Sequence, residues 1–141
     1  MMRFAIVILS VAGALVAALA LQVHYSTATE PCSINEKWDC GVVNHSPFAV
    51  VGHVPVAAIG IAGYLALAVL AVTRQRLVLH VAALIALIFS LRLSFIEEFD
   101  LQLWCLYCVI SQGIIGLISL LSLGWLAAEY ISLKRGAKRA G

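Results

Sequence analysis

Charge is what this sequence has least of. Only 11% of its 141 residues are Asp, Glu, Lys or Arg, whereas a soluble domain carries about 25%. That scarcity excludes a soluble enzyme, a disordered tail and a free nucleic-acid-binding module. The net charge of +2 is too small to argue for a nucleic-acid partner. Internal repeats, heptads and low-complexity tracts are also missing. Hydrophobic residues, in contrast, make up 63% of the chain, and the mean hydropathy is +1.04. The solvent these numbers imply is a lipid bilayer, and the length suits one domain covering residues 1–141.

A bilayer core needs about 20 mostly apolar residues per helix. Four stretches meet that need: residues 4–23, 54–72, 77–96 and 103–131. The third holds one charge, Arg92, which either serves a function or snorkels outward toward Glu97 or Glu98. The expected fold class is therefore an all-α membrane protein. Its architecture is a four-transmembrane-helix bundle with a long polar loop, residues 24–53, between helices 1 and 2. A secretory signal peptide competes for the first stretch, with Ala18-Leu19-Ala20 as a cleavage site. Its twenty or so apolar residues exceed the usual signal core of about 7–15.

Lys and Arg favour the cytoplasmic side of a membrane. Arg3, Arg74, Arg76, Lys134, Arg135, Lys138 and Arg139 all fall on one side of a four-span layout; Lys37 and Arg92 do not. Six of the seven acids, Glu30, Glu36, Asp39, Glu97, Glu98 and Asp100, fall on the other. The layout places both termini in the cytoplasm. The long loop and the Glu97-Glu98-Phe99-Asp100 turn then face outward. Trp38, Trp104, Trp125 and Tyr130 read as interfacial anchors, and His24, His53 and His80 as interface residues. Gly52, Gly60 and Gly63 read as sites of close helix approach.

The four cysteines all lie on the outward side: Cys32 and Cys40 in the loop, Cys105 and Cys108 as Cys-Leu-Tyr-Cys at the start of the last span. Disulfides persist in such an oxidising compartment. A helix N-terminus stabilises a thiolate, the nucleophile of disulfide exchange. A reducible Cys-x-x-Cys at the membrane interface can meet a lipid-soluble oxidant, and a loop pair can meet a water-soluble protein. Two pairs that touch form an electron relay. Two structural disulfides are a competing reading. Four-thiolate zinc is a poorer one, because Cys-x7-Cys does not match zinc spacing, and no metal is expected.

These residues resemble a known family. Cys32-Ser33-Ile34-Asn35, then Asp39-Cys40-Gly41-Val42-Val43-Asn44-His45-Ser46-Pro47-Phe48, then Val54-Pro55-Val56, then Trp104-Cys105-Leu106-Tyr107-Cys108 resemble the bacterial vitamin K epoxide reductase family. The resemblance implies a thiol:quinone oxidoreductase that supports disulfide formation in exported proteins. Ubiquinone or menaquinone would be the co-substrate. It implies that Cys108 faces the quinone, that Cys105 exchanges with Cys40, and that Cys32 meets the partner. Ser46 would help hold the quinone, residues 41–51 would cap the bundle mouth, and Pro47 and Phe48 would dip toward lipid or quinone. Trp104 and Gln112 are further candidates for the quinone site: Trp104 because it precedes Cys105, Gln112 because it lies one turn beyond Cys108. Many bacterial members continue into a thioredoxin-like domain. This sequence stops at Gly141, so the expected partner is a separate exported protein of thioredoxin fold. The expected location is the bacterial inner membrane. Two alternatives remain: reduction of a vitamin K epoxide, as in the animal relatives, and a non-catalytic membrane subunit with structural disulfides.

Overall fold

A computed structural model describes residues 1–26 and 34–141. Cys32, the expected outlet to the partner, lies outside the described residues. The described residues are 83% helical. In order it forms α1 (Met2–Tyr25), α2 (Cys40–His45), a 3-10 turn (Pro47–Ala49), β1 (Val50–Val51), β2 (Val54–Pro55), α3 (Val56–Val72), α4 (Arg76–Ile96), a π-helical turn (Glu97–Leu101) and α5 (Leu106–Ala140).

Among the described residues, three helices are long and apolar enough to cross a membrane: α1, α4 with its π-helical turn, and α5. The fourth, α3, has 17 residues, about 26 Å at 1.5 Å per residue, against a hydrocarbon core of roughly 30 Å. The expected second span loses two residues to the strand Val54–Pro55. Gly52 and His53 join the two strands with φ of 55° and 70°, the positive pair that a two-residue type I′ hairpin requires. Gly52 therefore makes a turn, and no neighbour lies within 4 Å of where its Cβ would be. The helix-approach reading does not fit it.

Helix α1 packs on α3 and α5, and α4 packs on α5 and α3. The buried positions of α1, Ile6, Ser10, Gly13, Ala17, Ala20 and Val23, recur every three or four residues and are mostly small. Small residues let backbones approach where lipid offers no hydrophobic drive between helices. The outward faces are as apolar as the core: Leu15, Ile85, Ile88 and Leu120 are each more than 60% exposed. Such a surface is solvated by hydrocarbon, not by water. Polar ties cross the bundle where side chains are half-buried. His80 Nδ1 meets Ser122 Oγ at 2.8 Å, so His80 joins α4 to α5. At the far end Arg76 pairs with Glu129 at 2.8 Å and lies over Trp125. Arg92 is exposed and has no ion pair with Glu97 or Glu98.

The tightest approach is at Gly13. A Cβ there would stand 2.3 Å from the Tyr64 ring, and Tyr64 is 5% exposed. Gly13→Ala should therefore destabilise the protein by about 1–3 kcal/mol, the usual cost of overpacking. Thermal unfolding in detergent would read this as a lowered Tm. An unchanged Tm would mean that the α1–α3 contact is looser than described.

Candidate active site at one end of the bundle

The loop reaches the bundle through short local bonds. Asn35 Oδ1 accepts from the backbone N–H of Lys37 and Trp38 at 2.9 and 3.1 Å, which closes an Asx turn. The next residues run beside the connection that precedes α5. Trp104 N–H donates to the Lys37 carbonyl at 2.7 Å, and Asp39 N–H donates to the Trp104 carbonyl at 3.0 Å. The Trp38 and Trp104 rings lie 6.3 Å apart. Asp39 Oδ1 then caps α2 by accepting from Val42 N–H at 3.1 Å. These bonds bring Cys40, the first residue of α2, against Cys105, the residue that caps α5.

The two sulfurs are 3.2 Å apart, and both residues are fully buried. Cys40 is held in a disulfide, while Cys105 and Cys108 are free thiols. Val23, Val43 and Leu103 surround them and keep water out. Asn44 lies one turn after Cys40 on the same face of α2. Its Nδ2 donates to the Cys40 carbonyl at 2.8 Å and to Cys105 Sγ at 3.5 Å. Its own carbonyl meets His24 Nδ1, which ties α2 to the end of α1. The hydrogen bond from the Cys108 thiol holds the Cys105 thiol below the usual cysteine range. The Cys108 backbone N–H and Asn44 add to that effect, and burial and the Glu97 charge oppose it. Cys105 is thus prepared as a nucleophile beside a disulfide sulfur.

Cys108 faces the other way. It lines a cavity of about 480 Å³ enclosed by α1, α3, α4 and α5 and roofed by α2 and the 3-10 turn. That is the size of a small-molecule site. The walls are apolar, with Ile59, Ile85 and Phe89 among them. Its polar groups include Asn44, Ser46, Glu97 and Ser111.

Ser46 and Phe48 line this cavity. Ser46 Oγ donates to the Val43 carbonyl at 2.7 Å, and its N–H donates there as well, so the hydroxyl ends α2. Gln112 and Trp104 are not among the lining residues. Gln112 Oε1 accepts from Ser94 Oγ, a bond between α4 and α5. Trp104 binds the loop instead. Two residues that the motifs did not point to belong to the site: Asn44, just described, and Glu97. Glu97, the first residue of the acidic turn, is 3% exposed, and its Oε2 accepts from Cys105 N–H at 3.2 Å.

Residues 4–125 match the family model of the vitamin K epoxide reductase family. The chain belongs to that family. No individual curated protein matches it. Members of the vitamin K epoxide reductase family are in general membrane oxidoreductases with quinone-type or vitamin K substrates. A buried thiol pair with one sulfur on a loop disulfide and the other on an apolar cavity suits such chemistry.

Proposed function

We propose that this vitamin K epoxide reductase family chain is a thiol:quinone oxidoreductase that passes electrons from an exported dithiol protein to a membrane quinone. One observation carries the reading: Cys105 touches Cys40, while Cys108 opens on the cavity. Partner thiols reduce a Cys32–Cys40 disulfide. Cys40 then attacks an oxidised Cys105–Cys108 pair at Cys105, and Cys32 resolves the mixed disulfide. Cys105 and Cys108, now reduced, deliver two electrons to the quinone. Free thiols at Cys105 and Cys108 beside a disulfide-bonded Cys40 correspond to the moment before quinone reduction. The quinone head would sit at the polar end of the cavity, near Cys108 and Ser46, with Phe48 in the roof and the isoprenoid tail between α3 and α4. The partner is a separate thioredoxin-fold protein. α3 serves as the fourth span, and both termini are cytoplasmic with the site outside, as the charge placement supports.

Reduced protein in sealed, right-side-out vesicles tests this. Ubiquinone or menaquinone should convert the Cys105 and Cys108 thiols to a disulfide and yield quinol. A membrane-impermeant maleimide should label the reduced loop cysteines from outside. A non-catalytic subunit would show no quinone-dependent thiol loss, and labelling only after permeabilisation would reverse the orientation.

A further inference from the structure

We propose that Glu97 takes the thiol proton of Cys108 when that thiol reduces a quinone in the cavity. The inference rests on the reading above and deepens it by naming the base. Glu97 and Cys108 line the same cavity. The Glu97 carboxylate accepts from the Cys105 backbone N–H at 3.2 Å, which holds it at the start of α5, three residues before Cys108. The Cys105 sulfur is the other group that acts on the Cys108 thiol. The backbone holds this arrangement: the Glu97 carbonyl accepts from Gln102 and Leu103, closing the π-helical turn. Gln102 there has φ of 53°.

No Lys, Arg or His lines the cavity. Among the described residues the ion pair present is Arg76–Glu129, at the other end of the bundle. The titratable groups around Glu97 are Cys105, which caps α5, and Cys108 of α5, with Tyr107 of α5 and Tyr64 of α3 also lining the cavity and neutral Asn44 and Ser46 above. Glu98 and Asp100 of its own turn are exposed. A buried carboxylate without a cation is costly, which leaves proton exchange with the thiol as its use.

The step balances. The Cys108 sulfur forms a bond to an electrophilic ring carbon of the quinone, and its proton passes to the Glu97 carboxylate. The Cys105 thiolate attacks the Cys108 sulfur, and the carbon–sulfur bond breaks with its electron pair returning to the ring. The products are a Cys105–Cys108 disulfide and a hydroquinone dianion. One oxygen takes the proton held by Glu97, and the other takes the proton that Cys105 lost on ionising. Two thiols are oxidised and one quinone is reduced.

Glu97→Gln tests the proposal, because it keeps the acceptor for Cys105 N–H and removes the base. Two rates are read on the reduced protein in vesicles: quinol formation with added ubiquinone or menaquinone, and iodoacetamide alkylation at Cys108 by peptide mass. Quinol formation should fall roughly 10²-fold, the scale of general base catalysis. Alkylation should be no slower, since removing a negative charge beside a thiol does not hinder its ionisation. Glu97→Asp should recover part of the lost rate. Unchanged quinol formation in Glu97→Gln overturns the proposal. So does a parallel loss of both rates, through misfolding or closed access, which would make Glu97 structural. A parent protein that is alkylated normally but forms no quinol refutes the quinone reading itself.

Discussion

Cys108→Ala should abolish quinone reduction, a loss on the order of 10³-fold or more for a missing nucleophile. Cys108 is the cysteine that lines the cavity, and Cys105 is walled off from it by full burial. A quinone too bulky to pass α2 therefore meets one sulfur. The same variant should accumulate a Cys40–Cys105 mixed disulfide. There Cys105 attacks the Cys32–Cys40 disulfide at Cys40, 3.2 Å away, and with no thiol at position 108 to attack Cys105 the mixed disulfide is broken only by return of Cys32. Quinol formation by stopped-flow absorbance would check the first effect. Retained turnover would mean that Cys105 reaches the quinone directly.

Cys105→Ala should separate the two halves of the relay. Partner thiols should still reduce the loop, but the loop should then stay reduced in the presence of quinone, because Cys40 has lost its acceptor. In the parent, the reverse exchange, attack of Cys105 on the loop disulfide at Cys40, needs the Cys105 thiolate. A donor set of the Cys108 thiol, the Cys108 N–H and Asn44 holds its titration below the ordinary thiol range. Lowered titration means that the reactive form persists as the pH falls through the range where a free cysteine is already protonated. The exchange rate should begin to decline at a lower pH than it would for an ordinary thiol. Rapid-quench alkylation across pH measures it. A rate still rising through pH 8–9, the range of an ordinary thiol, would contradict the donor set.

The cysteines stood out in the sequence because residue type and spacing limit what they can do. Four apolar stretches were legible for the same reason, since hydropathy counts residues directly. The short α3 was less so, because hydropathy does not reveal that Val54 and Pro55 pair with Val50 and Val51 in a hairpin. Glu97 was hidden by its neighbours: nothing local separates it from Glu98, and the turn reads as uniformly acidic. The inward stripe of α4 held the signal. Ala82, Ala86, Phe89, Leu93 and Glu97 line the cavity at three- and four-residue steps, so the helical period carries Glu97 inward. Asn44 had a signal of the same kind, one turn beyond Cys40. Trp104 and Gln112 failed the other way. Nearness to a cysteine along the chain did not turn their side chains to the cavity, since Trp104 precedes α5 and Gln112 is bonded to Ser94.

The claim that everything else depends on is that the loop hands electrons to Cys105 through Cys40. Peptide mapping under non-reducing conditions settles it, using Cys108→Ala protein quenched in acid and alkylated directly in its membrane. A Cys40–Cys105 cross-link, with an alkylated Cys32, is the predicted result. A Cys105 that is alkylated throughout, or cross-linked to Cys32 instead, would contradict the relay.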